Sequence, residues 1–429
     1  MDTLGFVIIA LGILAFSFVS GRLKDSLITA PMVFAAFGLI IGSAGLGLAK
    51  VDVSHGLIHT LAEITLVLVL FSDAARIDLR ALLRDHSLPQ RMLLIGMPLT
   101  MAAGTAIALA LPLGLDLYHA ALLAAVLAPT DAALGQSVVS NPNVPVRIRQ
   151  ALNVESGLND GIAVPFVLLF AALAAGGATD TEATSDILTS GALQILLGPV
   201  AGIAVGCLGG WLIDATVRRG WMSMTFEGPA VLAMAALAFT GAELIGGNGF
   251  IAAFVAGLTF GYVIEGHCKF LLEFAESEGQ LLTLVTFLIF GAVMLPELAH
   301  GITWAMVLYA VLSLTVIRMV PIALSLLGTG VSGATGLFLG WFGPRGLASV
   351  LFGLLILERL ETPGSQTILI VTILTVGLSI VAHGITAAPA ALAYGRMARA
   401  KGECAENEIV SEMPTRAGFV TLEIEEEAK

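Results

Sequence analysis

The chain has 429 residues, of which 57% are hydrophobic and only 12% are charged, and its mean hydropathy is +0.95. Soluble domains carry roughly 25% charged residues, so this composition excludes a soluble globular protein and indicates a polytopic membrane protein. The formal net charge of −12 argues against a nucleic-acid partner. Three cysteines without a pairing pattern (Cys207, Cys268 and Cys404) argue against a disulfide framework and a zinc cluster, and no cofactor is expected.

Apolar segments follow one another along almost the whole chain, and a membrane-spanning helix needs on the order of 20 apolar residues. We predict an all-α polytopic membrane protein with thirteen transmembrane helices within residues 1–395, starting with a retained first span rather than a signal peptide. Residues 396–429 are polar and predict a short, flexible cytoplasmic tail. The predicted spans are residues 4–20, 27–49, 57–75, 91–113, 118–140, 147–175, 189–215, 228–245, 248–266, 279–296, 302–327, 335–357 and 365–395.

Lysine and arginine are unevenly shared between the two sets of loops. With the N-terminus outside, sixteen of the 20 lie in cytoplasmic loops or in the tail, two lie in outer loops and two lie within spans. Positive residues favour the cytoplasmic side, which predicts an outside N-terminus and a cytoplasmic C-terminus. Segments 4–175 and 228–395 then enter the membrane from opposite sides, which predicts two inverted six-helix repeats joined by a linker helix at 189–215.

Proline interrupts one span in each predicted repeat, at corresponding positions. The fifth span contains Ala128-Pro129-Thr130-Asp131, and the twelfth contains Gly343-Pro344-Arg345-Gly346. Because proline lacks a backbone donor and clashes with the preceding turn, both helices are predicted to unwind there. Asp131 and Thr130 can cap the second half of the fifth span, and Arg345 can neutralise carbonyls exposed in the twelfth. A tolerated proline kink and purely static capping are the simpler alternatives.

The sixth span carries four polar residues in two stripes, because residues four positions apart share one face of a helix. Ionisable residues within membrane spans are costly and mark ion pathways, so these residues predict a cation site. Ser156 and Asp160 form the stripe that we assign to the ion path, and Glu155 and Asn159 form the other. A buried carboxylate is costly without a partner, and Arg318 in the middle of the eleventh span has the same need with opposite charge. We therefore predict a structural Glu155–Arg318 ion pair. The alternative is that Glu155 is a second ion ligand.

Asp160 is the candidate for the group that carries the exchanged ion. Burial disfavours the charged form of a carboxyl group, so Asp160 could hold either a proton or a small cation, but not both. Hard cations prefer oxygen ligands, which Asp160, Asp131, Ser156 and Thr130 would supply to Na⁺. Asn159 beside Asp160 is uncharged, which favours an electroneutral exchange of one cation for one proton.

Five short patterns resemble the sodium/proton exchanger branch of the monovalent cation/proton antiporters, especially its prokaryotic, electroneutral NhaP-type members. The resemblance extends over nearly all of the predicted membrane part, and the glutamate–serine and asparagine–aspartate pairs of the sixth span are typical of the electroneutral branch. The patterns are Leu70-Phe71-Ser72-Asp73, Pro129-Thr130-Asp131, Glu155-Ser156 with Asn159-Asp160-Gly161, Gly343-Pro344-Arg345-Gly346 and His383-Gly384-Ile385-Thr386.

The resemblance implies an antiporter for monovalent cations and protons that serves pH homeostasis, embedded as a homodimer in the bilayer of a prokaryotic plasma membrane. It implies crossed broken helices 5 and 12, and a core domain that slides against a dimerisation domain in an elevator-type cycle. It also places Asp73 among the cation- and proton-binding residues. Two departures from the family pattern put the geometry of the breaks in question, since Ala132 stands where a proline is common and Pro344 stands where an apolar residue is usual.

Rival functions follow from the same residues. Exchange of K⁺ for protons fits the same fold and ligand types, and the sequence does not decide between Na⁺, Li⁺ and K⁺. A cation channel is a more remote alternative, although no repeated filter sequence is present. An intramembrane aspartyl protease could use Asp131 and Asp160, but the expected sequence context of such enzymes is missing, so a transporter rather than an enzyme is predicted.

Overall fold

The computed structural model describes residues 3–23, 26–48, 55–80, 82, 87–131, 134–176, 181–264, 281–359, 363–400, 405–408 and 410. Regular structure in these residues is helical, without a β-strand. In chain order the helices are α1 (Thr3–Leu23), α2 (Ala30–Ile41), α3 (His55–Ala75), α4 (Ser87–Ala110), α5a (Leu117–Val126), α5b (Gln136–Val139), α6 (Val146–Gly176), α7 (Thr181–Arg218), α8 (Met224–Leu244), α9 (Gly249–Ile264), α10 (Leu281–Ala299), α11 (Trp304–Ser325), α12a (Gly333–Trp341), α12b (Leu347–Arg359) and α13 (Pro363–Ala400).

Every predicted span contains helix in the part of the chain that the structure describes. Within that part, seven helices are long and apolar enough to cross a membrane by length and composition, namely α4, α6, α7, α8, α10, α11 and α13. The first, second, fifth and ninth segments contain shorter apolar helices. The all-helical, polytopic class is as predicted, while the count of thirteen crossings and the inverted repeats stay predictions.

Glycines allow neighbouring helices to approach each other closely. Gly202 and Gly206 are one turn apart on α7 and face α9, so that a Cβ on Gly202 would lie 2.6 Å from the carbonyl oxygen of Ala252. On the same α9, Gly257 lies against the backbone carbonyl of Phe71 in α3. Small residues at a four-residue spacing are typical of helix packing in membranes, where apolar side chains gain little by leaving lipid. This packing explains part of the high glycine content.

Side-chain caps fix the start of three helices, α5a, α11 and α12a. The Asp116 carboxylate accepts the N–H groups of Tyr118 and His119 at the start of α5a, both at 2.9 Å. Thr303 caps α11 and Ser332 caps α12a in the same manner. Each cap satisfies a backbone donor that has no partner within its helix.

A short segment after α13, residues 405–408, contacts the helical bundle. Where composition predicts a flexible tail, α13 continues to Ala400, and Ala405–Asn407 forms a single 3-10 turn. Glu406 in this turn is buried, and its Oε1 accepts the N–H of Ser332 at 2.9 Å and the hydroxyl of Thr335 at 2.8 Å. Arg147 at the start of α6 donates to the carbonyl of Ala405. Residues 411–429 lie outside the described part.

Candidate cation site

The fifth and twelfth helices are interrupted where proline predicts it. Helix α5a ends at Val126 and helix resumes at Gln136, and Pro129 lies in the irregular stretch between them. Helix α12a ends at Trp341 and α12b begins at Leu347, so residues 342–346 are unwound. Ala132, the first departure from the family pattern, lies outside the described residues. At Pro344, the second departure, the helix is interrupted by five residues.

The two unwound segments contact each other directly. The backbone N–H of Asp131 donates to the carbonyl of Pro344 at 2.8 Å, and the carboxylate Oδ2 of Asp131 accepts the N–H of Leu347 at 2.8 Å. In the opposite direction, Nη1 of Arg345 donates to the carbonyls of Ala128 at 2.6 Å and Pro129 at 3.1 Å. Each segment therefore satisfies backbone groups that the interruption of the other has freed.

This exchange corrects part of the sequence interpretation. Arg345 was expected to neutralise carbonyls of its own twelfth span, but its hydrogen bonds go to the end of α5a. For Asp131 the structure adds a contact that was not expected, since its Oδ2 caps α12b; the expected cap on its own helix involves residues next to 132–133, which lie outside the described part, and stays a prediction. The physical reason is that a carboxylate favours the nearest helix N-terminus and a guanidinium favours the nearest C-terminus, whichever helix supplies it. Here, contact between the segments brings the opposite helix closest.

Two glycines make room for charged side chains at this contact. A Cβ on Gly346 would collide with the carboxylate of Asp131, and a Cβ on Gly343 would collide with the guanidinium of Arg318. The Gly-Pro-Arg-Gly sequence thus has two uses. Its proline interrupts the helix, and its glycines leave the space into which an acid from α5 and an arginine from α11 project.

Hydroxyl and amide groups of α6 join the unwound segment of α5. The hydroxyl oxygens of Thr130 and Ser156 lie 3.0 Å apart, and Nδ2 of Asn159 donates to Thr130 Oγ1 at 2.6 Å. All three residues are buried. The other polar atom of Asn159, Oδ1, is buried and accepts no hydrogen bond from the described residues. An amide oxygen in this position is suited to a cation or to a water molecule.

The three candidate aspartates are all buried, each on a different element. Asp131 lies in the unwound segment, and Asp160 lies one helical turn after Ser156 on α6. Asp73 lies near the end of α3, where its backbone carbonyl faces Gly157 of α6. In the described residues no group of three or more His, Cys, Asp or Glu side chains could hold a metal ion. Carboxylate, hydroxyl and amide oxygens are the types of ligand that a hard cation prefers.

Glu155 is paired with Arg318 in the structure. Nη1 and Nη2 of Arg318 donate to Oε1 and Oε2 of Glu155, both at 2.8 Å. The two side chains are each 3% exposed, so this is a fully buried, bidentate ion pair. The carboxylate of Glu155 is thereby neutralised by Arg318, whereas Asn159 of the same stripe contacts Thr130.

Sequence reasoning missed two serines that hold the interrupted helices. Ser349 on α12b donates its hydroxyl to the carbonyl of Val126, the last residue of α5a, at 2.8 Å. Ser379 on α13 accepts the backbone N–H of Arg345 at 2.7 Å. Both serines are buried. The available signal was a polar residue within an otherwise apolar helix, although many membrane helices carry serines that bond only to their own backbone.

Apolar helices, two interrupted segments in contact, buried carboxylates and neutralised helix ends are features typical of membrane proteins that transport ions. Comparison with known proteins identifies the group more closely. The chain belongs to the sodium/hydrogen exchanger family, because the model of that family's transmembrane region matches residues 6–393. The resemblance read from the sequence motifs is thereby confirmed.

Two relatives each share less than 30% sequence identity with this chain. The K⁺/H⁺ antiporter NhaP of Alkalimonas amylolytica is 27% identical over 361 residues, which cover 82% of this chain and 61% of that protein. Na⁺/H⁺ antiporter 2 of Zygosaccharomyces rouxii is 29% identical over 378 residues, which cover 81% of this chain and 45% of that protein. The chain thus spans about half the length of these curated relatives.

Solved structures share the fold. The structure of the sodium proton antiporter MjNhaP1 from Methanocaldococcus jannaschii at pH 8 aligns with a TM-score of 0.70 and 21% identity, and the match covers 90% of this chain and 98% of that one. Its electron-microscopy structure aligns with a TM-score of 0.74 and 20% identity, covering 94% and 100% of the two chains. At these identities the likeness concerns the fold alone.

Proposed function

We propose that this protein is a secondary active antiporter that exchanges a monovalent cation for a proton across a membrane. The observation that carries the proposal is the buried cluster in which Thr130 of the unwound segment is bonded to Ser156 and Asn159 of α6, with Asp131 and Asp160 adjacent in sequence to its members. Buried ionisable residues in a membrane protein mark ion pathways and proton relays.

The exchange reaction needs one group that binds the two ions in competition. Asp160 is that group in our proposal, since a carboxylate holds either a proton or a cation and its burial excludes bulk water. Ser156, Thr130, Asp131 and the amide oxygen of Asn159 complete the oxygen ligands around Na⁺. The cation displaces the proton from Asp160, and the proton displaces the cation after the site has opened to the other side.

The charges at the site favour an electroneutral stoichiometry. Glu155 is neutralised by Arg318, and Asn159 carries no charge. The carboxylate of Asp131 is bonded to the start of α12b, which favours a static negative charge on it. Asp160 then remains as the acid of α6 that changes its occupant, and one proton replaces one cation in each half of the cycle.

Alternating access is proposed to follow an elevator-type movement within a homodimer in a prokaryotic plasma membrane, with the N-terminus outside, the C-terminus in the cytoplasm and pH homeostasis as the physiological role. The membership of the sodium/hydrogen exchanger family and the shared fold support this proposal. A passive cation channel is disfavoured, because two interrupted helices in contact fit alternating access better than a continuous pore.

Na⁺ is the proposed cation, and Li⁺ is expected to substitute for it. K⁺ is the alternative, and it has a specific basis because the relative from Alkalimonas amylolytica is a K⁺/H⁺ antiporter while the yeast relative is a Na⁺/H⁺ antiporter. Carboxylate and hydroxyl ligands suit either ion, so the choice depends on the size of the occupied site.

The test uses purified protein in liposomes that contain a pH-sensitive dye. We expect proton movement to follow the addition of Na⁺ or Li⁺, and to be lost in Asp160→Asn. The control is Asp214→Asn, which removes an acid that is paired with Arg218 at the end of α7 and should leave exchange intact. Substantial exchange by Asp160→Asn would refute the assignment, and a response to K⁺ alone would select the alternative cation.

A further inference from the structure

Two polar side chains of α13 hold the ends of the unwound segment in α12. Ser379 and His383 are one turn apart, and neither is exposed. Ser379 Oγ accepts the backbone N–H of Arg345 at 2.7 Å, and Nε2 of His383 lies 2.8 Å from the carbonyl oxygen of Trp341. Trp341 is the last residue of α12a, and Arg345 lies two residues before α12b. The pair therefore spans the interruption from one side to the other.

The Arg345 N–H, Ser379, His383 and the Trp341 carbonyl form a row of hydrogen bonds. The groups at its two ends determine where the protons lie. The backbone N–H of Arg345 can only donate, so Ser379 Oγ accepts there and keeps its own proton to donate. The carbonyl of Trp341 can only accept, so Nε2 of His383 must carry a proton. Nδ1 of His383 lies 3.1 Å from Ser379 Oγ, and it accepts the serine proton if the imidazole is neutral. Every donor in the row then has an acceptor.

A charged imidazole is the competing arrangement. Nδ1 also lies 3.0 Å from the backbone carbonyl of Ser379, and a proton on Nδ1 would be donated there. That form would place a positive charge on a side chain without exposure, with no carboxylate among its hydrogen-bond partners in the described residues. Burial of a charge without a partner of opposite charge is strongly unfavourable. The neutral row satisfies the same groups without this cost.

Ring contacts hold the imidazole in this orientation. His383 stacks on the indole of Trp341, with ring centroids 4.9 Å apart and planes inclined by 29°. The indole Nε1 of Trp341 in turn donates to Thr386 Oγ1 at 3.0 Å. The residue at the end of α12a is thus bound to α13 through its backbone carbonyl, its ring face and its ring nitrogen.

We propose that Ser379 and His383 are positioning residues of the antiporter. They act as an uncharged, hydrogen-bonded clamp that holds the two sides of the unwound segment of α12, at Trp341 and Arg345, at a fixed separation. The clamp fixes the backbone of Arg345, whose guanidinium neutralises the end of α5a beside Asp131. His383 does not carry the transported proton. This inference rests on the proposed antiport function.

Exchange assays on variants test the clamp. Glutamine places an amide nitrogen close to the position of imidazole Nε2, whereas asparagine is one methylene shorter and does not reach the Trp341 carbonyl. We expect His383→Asn and Ser379→Ala to raise the apparent KM for the cation roughly tenfold, the size expected for one lost buried hydrogen bond. His383→Gln should stay within about twofold of the wild type and keep its pH profile, because a hydrogen bond and not a titrating group is required.

The matched control is Thr375→Val, which lies one turn before Ser379 and whose hydroxyl bonds to the carbonyl of Val371 in its own helix. It should keep the wild-type KM. Wild-type KM in folded His383→Asn and Ser379→Ala would overturn the clamp. A shifted pH profile or lost proton movement in His383→Gln would overturn the claim that His383 stays neutral.

A second measurement does not depend on transport. Nuclear magnetic resonance of protein labelled with ¹⁵N-histidine reports the tautomer, and the signal that is missing in His383→Gln is that of His383. We expect the neutral form with a proton on Nε2 at both acidic and alkaline pH. An imidazolium, or a neutral ring protonated on Nδ1, would overturn the proposal. If the wild type moves none of Na⁺, Li⁺ and K⁺, the antiport function fails while the tautomer still tests the clamp.

Discussion

Asp131 and Arg345 each neutralise the interrupted helix to which the other belongs. Oδ2 of Asp131 accepts the N–H of Leu347 at the start of α12b, and the guanidinium of Arg345 donates to Ala128 and Pro129 at the end of α5a. A helix N-terminus is partially positive and a C-terminus partially negative, so both contacts are electrostatically favourable. Because each charge stabilises the other segment, the two interruptions stabilise each other, and displacing either residue is expected to disturb both.

This relationship predicts that Gly346 is essential. In Gly346→Ala the new Cβ would collide with the carboxylate of Asp131, which would have to move and give up its bond to Leu347. Loss of a hydrogen bond to a charged group costs about 1.5–3 kcal/mol. If the transition state for exchange requires this bond, the rate should fall by about ten- to a hundredfold. Initial rates of cation-dependent proton movement in liposomes measure the effect.

Gly336→Ala, in the first half of the same interrupted helix, is the matched control. A Cβ at this position in α12a meets no atom within 4 Å, and alanine is favoured over glycine in a helix by roughly 0.5–1 kcal/mol. This variant should exchange at the wild-type rate with equal or higher thermal stability. Gly346→Ala with a normal rate would show that Asp131 does not need its present position.

A second prediction concerns the buried pair of Glu155 and Arg318. Removing one partner of a buried ion pair typically costs about 3–5 kcal/mol, because the remaining charge is left without compensation. Glu155→Gln or Arg318→Ala should therefore lower thermal stability in detergent strongly. The double variant should cost less than the sum of the two single changes, since only one interaction is lost. Strictly additive effects would be inconsistent with the contact, and wild-type ion affinity in folded Glu155→Gln would exclude Glu155 as a second ligand.

The sequence allowed the helical segments, the two interruptions and the partner of Glu155 to be predicted. Length and hydropathy determine which segments can be apolar helices, and Pro129 and Pro344 determine where a helix loses its hydrogen bonds. The contact with Arg318 could be predicted because a buried carboxylate needs a positive partner and few arginines lie within the apolar segments. Each of these inferences depends either on a local sequence rule or on the small number of possible partners in the apolar segments.

The exchange of caps between α5a and α12b could not be predicted from the same rules. Helical periodicity shows which residues lie at a helix end, but it does not show which other element lies against that end. The roles of Gly343 and Gly346 have the same origin, because a missing Cβ matters only through the atoms of Arg318 and Asp131 that occupy its place. Ser379 and Ser349 needed the same three-dimensional information.

A third prediction concerns the segment at the end of the described chain. The buried carboxylate of Glu406 accepts the N–H of Ser332 and the hydroxyl of Thr335, so it caps the start of α12a. Hydrogen bonds to a charged group contribute about 1.5–3 kcal/mol. Glu406→Gln should therefore lower the free energy of unfolding by an amount in this range. Thermal unfolding of the purified protein in detergent measures the change.

Glu408→Gln is the matched control within the same segment. Glu408 pairs with Arg147 at 2.6 Å, but its side chain is 63% exposed. Exposed ion pairs contribute about 0–1 kcal/mol, so this variant should be nearly as stable as the wild type. Equal stability of the two variants would mean that Glu406 does not act as a cap. The flexible tail that composition predicts would then be the better description of this segment.

The fourth prediction concerns the dependence of exchange on membrane voltage. Because Asn159 is uncharged and Glu155 is neutralised by Arg318, we propose that one proton is exchanged for one cation. A potential of about 100 mV is worth about 2.3 kcal/mol for each elementary charge moved across the membrane. An electrogenic cycle would therefore reach end-point gradients that differ clearly between vesicles clamped at zero and at about −100 mV. An electroneutral cycle should reach the same gradients at both voltages, although its rate can respond if a charged intermediate crosses part of the field.

The variant Asp131→Asn tests whether Asp131 carries a second proton. If the wild-type end point depends on voltage and this dependence is lost in Asp131→Asn, Asp131 exchanges a second proton, and its contact with Leu347 is not static.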